Sequence, residues 1–151
     1  MLSELEPHPP RSKKIGRGLL VIAFLAGLMF FADRAKRDYT IRAEVTVGMA
    51  TAYSMRNALE QYLADHRELP ASNEDIGLPP ASENNGKYVS QAGIEDGKIV
   101  IIYGNKANEK IHGKRLLYVP DVTNPADISW QCSSPDIPGK WLNEPCRGDV
   151  K

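Results

Sequence analysis

The chain has 151 residues, with 19 Lys or Arg against 19 Asp or Glu. That size holds one compact domain with a short appendage, and the balanced charge excludes a molecule drawn as a whole toward nucleic acid. The charges are unevenly placed, because positions 1–17 carry Arg11, Lys13, Lys14 and Arg17 against Glu4 and Glu6.

From position 18 to 32 every side chain is apolar or absent. A spanning helix usually needs about 20 apolar residues and a cleavable signal core about 7–15, so the run lies between the two. The segment that ends it, "FFADRAKRD", makes a poor cleavage site. The run therefore reads as an uncleaved anchor over 18–37, lengthened by the methylenes of Arg17 as its guanidinium reaches the headgroups. Arg34, Lys36 and Arg37 follow it nearly as densely as the basic cluster precedes it, so charge alone does not orient it. Cysteine usage bears on orientation. A bridge between Cys132 and Cys146 would require an oxidising compartment, placing the domain at 38–151 outside the cytoplasm and the basic tail at 1–17 inside. Two unrelated buried thiols remain the alternative, and two cysteines with no nearby histidine supply too few ligands for a metal.

No proline occurs between Pro10 and Pro70. Val45, Met49, Ala52, Met55, Leu59, Tyr62 and Leu63 step by three and four, with Glu44, Arg56, Asn57, Glu60 and Asp65 mostly on other faces. One helix over 15–66 is expected, about 75 Å long at 1.5 Å per residue, with Gly48 where bending is cheapest. Positions 68–87, "ELPASNEDIGLPPASENNGK", read as a long loop. Strands are expected at 87–94 and 99–104, joined by a tight turn at Asp96-Gly97, and at 114–120 and 128–132. The fold class is thus α+β: a long N-terminal helix, membrane-spanning in its first half, packed by its amphipathic second half on a four-stranded antiparallel sheet.

Catalysis finds little support, since His8, His66 and His112 are isolated and the carboxylates fall in pairs such as Glu74-Asp75 and Glu95-Asp96 that suit turns. Neither a cofactor nor a small-molecule substrate is expected. The stretch at 104–115 holds Lys106, Lys110, His112, Lys114 and Arg115. It could touch a DNA backbone, but without interleaved aromatics it reads first as a solvated hairpin loop.

Two segments carry a resemblance. "RDYTIRAEVTVGMATAYSMRNALEQYLADHRELPASNEDIGLP" resembles the tyrosine-centred helix and following loop of type IV pilins, and "ISWQCSSPDIPGKWLNEPCR" resembles their closing segment. The resemblance covers about 38–147 and implies a helix bundled in a filament core, with roles in surface adhesion, twitching motility or DNA uptake. It implies that Cys132 and Cys146 form the bridge of a C-terminal disulfide-bounded loop. Trp130 and a recognition surface of Ile137, Pro138, Lys140 and Trp141 would lie around that loop. It further implies pilin subunits or self as partners through the N-terminal helix, with Arg17, Tyr39 and Arg42 as subunit or membrane contacts. A bacterial inner-membrane, single-pass location follows, with the domain periplasmic or carried out on a surface pilus.

The first part departs from the family. With Tyr39 aligned to the family's tyrosine, the mature N-terminal phenylalanine falls at Lys13, the preceding glycine at Ser12, the buried glutamate at Arg17 and the helix-kinking proline at Arg34. No carboxylate occurs from 7 to 32. A cation at that depth needs a carboxylate or headgroup partner. Two expectations follow: a structural pilus subunit, or a membrane-retained pilin-like accessory protein that binds subunits and regulates or primes assembly without polymerising.

Overall fold

The computed structural model describes residues 14–124 and 127–147, with side chains from Gly18 onward. The expected tail at 1–17 lies outside the described residues apart from the helical backbone that begins at Lys14, and the Arg17 side chain lies outside them too. The elements are helix α1 (Lys14–His66), then strands β1 (Val89–Glu95), β2 (Lys98–Tyr103), β3 (Arg115–Asp121) and β4 (Ser129–Ser133). The sheet is antiparallel in the order β1-β2-β3-β4, so each strand pairs with its neighbour in sequence. The chain divides into two compact units, Met1–Arg37 and Asp38–Lys151.

In the first unit the helix displays apolar side chains on all sides. Leu20 and Met29 are each 72% exposed and Phe31 71%. The helix is long and apolar enough at this end to cross a membrane.

In the second unit α1 turns amphipathic, and its apolar stripe is the core. Ile41, Val45, Ala52, Met55 and Leu59 are all at or below 2% exposure, a spacing that keeps them on one helix face. They meet the inward-facing side chains Ile99, Ile101 and Tyr103 of β2 with Leu116 and Tyr118 of β3. On β1 a bulge between Val89 and Gln91 resets the alternation, so that Val89, Ala92 and Ile94 all join the core. The β1–β2 turn places Asp96 at φ 48° and Gly97 at φ 75°, the doubly left-handed geometry that matches the twist of a two-residue hairpin.

Gly48 has a packing role where the sequence suggests a bend. A Cβ there would lie 2.3 Å from the Tyr103 hydroxyl oxygen, and that hydroxyl donates to the carbonyl of Val45 at 2.7 Å. Burial pushes the Tyr103 hydroxyl far above its ordinary pKa, so it remains a donor. The helix passes through Gly48 unbroken because the open side admits the ring.

The long loop over 68–87 closes the outer edge of β1. Ala92 donates its amide to Ala81, and Gly86 donates to Val89. Asn73 is buried and binds both sides of the gap: its Oδ1 accepts from the Ile94 amide at 2.7 Å, and its Nδ2 donates to the carbonyls of Pro79 and Ala92. A covered edge does not template foreign strands.

Candidate functional site

The disulfide loop lies against the helix, and the pieces that hold it come from both. Cys132 lies in β4 one residue before its end and Cys146 lies in the tail, with their Cα atoms 4.5 Å apart across the Cys132–Cys146 bridge. Both sulfurs are buried, and the Tyr118 hydroxyl lies 3.6 Å from Sγ of Cys146. Burial raises the Tyr118 hydroxyl above its ordinary pKa while the Arg56 charge opposes that rise. Between the cysteines, Ser134 Oγ accepts from the amides of Asp136 and Ile137 and folds the chain back.

On α1, Asp38, Arg42 and Thr46 recur every four residues and so share a face. All three touch the loop. The Trp141 indole donates to Asp38 Oδ1 at 2.8 Å, Arg42 Nε donates to the Lys140 carbonyl at 2.7 Å, and Asn143 Nδ2 donates to Thr46 Oγ1 at 2.8 Å. The Lys140 ammonium lies 3.9 Å from Asp38 and 4.6 Å from the centre of the Trp141 ring. A lysine over an indole face is attracted by the ring quadrupole.

This arrangement sorts the four residues expected at a recognition surface. Ile137 and Trp141 are 4% and 5% exposed and belong to the core, whereas Pro138 and Lys140 face solvent. The reason is physical: an isoleucine and a tryptophan in a short braced loop lose more by facing water than by joining the adjacent core. Trp130 likewise stands apart from the loop, donating its indole N–H to Glu60 Oε1 at 2.6 Å with the Arg56 guanidinium 5.0 Å from its ring. Arg42 holds the loop carbonyl, while Tyr39 is 76% exposed.

The stretch at 104–115 is docked rather than loosely solvated. Ala107 and Ile111 tuck into the core, and the Asn108 amide donates to Glu44 Oε2 at 2.7 Å. Glu44, expected with the helix residues on the outer faces, is therefore buried. Its carboxylate replaces water with a loop amide. Lys114 donates to the Asp136 carbonyl and Arg115 pairs with the Asp136 carboxylate at 3.1 Å. Lys106, Lys110 and His112 stay exposed, with the Lys110 ammonium 5.6 Å from the centre of the Trp141 ring.

Among the described residues no three His, Cys, Asp or Glu side chains converge as a metal site. A cleft of about 390 Å³ lined by Leu63, Ala64, Arg67, Val122 and Ile128 contains one charged group and no nucleophile beside a base. A different surface has the character of an interface. Along the outer side of α1, positions 45–55 hold no charged residue, and Ala43, Val47, Ala50, Tyr53 and Ser54 face outward. Sequence reasoning missed Asp38, Glu44, Thr46 and Asn73 as positioning residues. The four-residue recurrence of Asp38, Arg42 and Thr46 was the available signal for that face.

Comparison with known proteins agrees with this architecture. The residue pattern of the family described as Pilin (bacterial filament) matches positions 41–147. A fimbrial protein of Neisseria meningitidis serogroup B is 30% identical over 118 residues, covering 78% of this chain and 69% of that protein. A type IV major pilin protein PilE1 of Neisseria gonorrhoeae is 31% identical over 119 residues, covering 78% of this chain and 66% of its own length.

Proposed function

The chain belongs to the type IV pilin family, and from that premise we propose that it is a membrane-anchored structural protein of a pilus or fimbria system, serving surface adhesion, twitching motility or DNA uptake. The family is one of filament proteins rather than enzymes. The observation that carries the reading is the helix with two apolar characters: a buried stripe from Ile41 to Leu59 and, outside it, an exposed uncharged face over 43–54. Small and aromatic side chains without charge let a second helix approach closely without burying unpaired ions. The partner in this reading is another pilin subunit or a second copy, with Tyr39 at the head of the face.

The reading also gives a location. The run at 18–37 holds the chain in a bacterial inner membrane as a single pass, with the basic tail at 1–17 cytoplasmic and the domain at 38–151 periplasmic. The bridge at Cys132–Cys146 supports that orientation, because such bonds persist in oxidising compartments. Adhesive or DNA contact falls to the exposed members of the loops, Pro138, Lys140, Lys106 and Lys110.

A specific observation favours a second reading, a membrane-retained accessory protein that binds subunits and regulates or primes assembly without polymerising. Arg17 stands where the family has its buried carboxylate, and no Asp or Glu occurs from 7 to 32. An arginine there would repel a neighbour's amino terminus and accept a neighbour's glutamate.

A photo-crosslinker at Val47, combined with intact-mass analysis of protein from membranes and from sheared filaments, tests the proposal. Crosslinks to pilin subunits with the protein present in filaments are expected for a structural subunit. Crosslinks with the protein confined to membranes would replace that reading with the accessory one, and absence of crosslinks in both fractions would overturn the helix interface.

A further inference from the structure

The second unit is electrically polar along α1. At the end where Asp38 begins, the segment 104–115 carries Lys106, Lys110, Lys114 and Arg115 against Glu109, and Asp136 of the disulfide loop neutralises Arg115, which leaves Lys106, Lys110 and Lys114 in excess. At the end where His66 closes the helix, the segment 67–76 carries Glu68, Glu74 and Asp75 against Arg67, and the nearby β1–β2 turn adds Glu95 and Asp96 against Lys98. Hydrogen bonds fix these assignments. Asn108 meets Glu44 and Trp141 meets Asp38 at the first end, while Gly97 meets Pro70 at the other.

The basic end has a focus. Lys110 and Lys140 both stand over the Trp141 ring, at 5.6 and 4.6 Å, and Arg42 reaches the Lys140 carbonyl on the same side of the loop. Lys110 and Lys140 thus share one indole with Arg42 bound beside it, and of these three cations Lys140 is the one at ion-pair distance from Asp38, which already accepts from the Trp141 indole. Glu44 is buried and committed to the Asn108 amide, and Glu109 is the remaining carboxylate of that loop. Among the described residues neither Arg42 nor Lys110 has a carboxylate within ion-pair distance. Such a surplus attracts a partner with several negative charges, and an extended surface suits cations carried on separate segments.

We propose that this end, formed by Arg42, Lys110 and Lys140 around Trp141, docks on an anionic phospholipid surface and holds the domain with its acidic end turned away from the bilayer. The proposal rests on the membrane-anchored reading above and adds the lipid class and the residues. Chain length favours lipid over other anions: the apolar run ends at Ala32, and Asp38 follows within six residues, about 9 Å of helical rise. One headgroup layer is about 5–8 Å deep, and a lysine side chain adds its own reach. The surface binds through exposed charges, so its strength falls with salt.

The test uses the full chain in nanodiscs of phosphatidylcholine alone or with phosphatidylglycerol, read by amide hydrogen exchange. Exchange over 106–114 and 137–144 is expected to slow several-fold in the anionic discs and to recover in about 0.5 M salt, where the Debye length is a few ångströms. Exchange over 68–83 should be the same in both. The double variant Lys110→Gln/Lys140→Gln should lose the slowing while β2 and β3 keep their protection. If that variant loses the sheet, Lys110→Gln alone, exposed and outside any ion pair, takes its place and should halve the effect or more.

Equal exchange in the two lipids, or slowing that survives the substitutions, overturns the proposal. Slowing by inorganic phosphate in neutral discs would mean a discrete anion site instead, and slowing that follows the number of chains per disc would mean a second copy. Vesicle flotation separates the premises. A chain that floats yet ignores lipid charge defeats the docking surface alone, whereas a chain that does not float defeats the anchor and the docking surface together.

Discussion

The two stretches of α1, 18–37 and 38–66, share a secondary structure and differ in what their apolar groups face. Leu20 and Phe31 are 72% and 71% exposed, while Ile41 and Leu59 are 1% and 0%. Composition already sets them apart, since Leu, Ile and Phe crowd the first stretch and are sparse in the second. What separates them further is arrangement: over 18–32 the first is apolar on every side, and the second gathers its large buried apolar groups into one stripe. An all-round apolar helix needs a surrounding phase or bundle, whereas a stripe needs a single opposing surface, which the sheet supplies.

Paired substitutions break this contrast most sharply. Leu59→Ala should destabilise the sheet-bearing unit by about 2–5 kcal/mol, because it opens a cavity in a closed core. Leu25→Ala, at a site 51% exposed, should leave thermal unfolding of the same unit unchanged in detergent, as followed by circular dichroism. Reduction of Cys132–Cys146 should rank next, lowering stability by about 3 kcal/mol for a closed loop of this size. Hydrogen exchange should then rise over 134–145 and at the helix face of Asp38, Arg42 and Thr46 that the loop covers, with no change over 18–37.

Glycines give a finer version. Gly48→Ala should cost about 1–3 kcal/mol, because its Cβ intrudes on a buried Tyr103 that is held by Val45. Gly27→Ala, with nothing within 4 Å, should leave the unit's melting temperature where it was. The smallest effect probes where the second stretch begins. Trp141→Phe removes the indole donor to Asp38 and should lower stability by about 1 kcal/mol, with exchange quickened at 38–42 ahead of any other helical segment.

The elements were legible in the sequence because each rests on a local pattern. The helix expected over 15–66 runs Lys14–His66, and all four strands fall within two residues of their expected ends. Asp96-Gly97 marks its hairpin by backbone chemistry alone. What stayed hidden depends on residues far apart in the chain. Glu44 reads as a surface acid until the amide of Asn108, 64 positions on, reaches it. Asn73 reads as a loop residue until β1 brings the Ile94 amide and the Ala92 carbonyl to its two ends. Trp141 and Leu142 sit in a short loop between Lys140 and Asn143, and no strand or helix period there marks the core that covers them. Gly48 is the instructive case, since the feature that suggests flexibility serves close contact instead.

The loop that covers β1 makes the sheet one-sided in its capacity to grow. Amides and carbonyls along β1 are already taken by Ala81, Asn73, Asn84 and Gly86. Among the described residues, β4 has no equivalent backbone cover on the side away from β3. In a crowded compartment, a strand that misfolds onto this protein would therefore recruit at β4, and the short span of Ser129–Ser133 is what limits how much it could gain there.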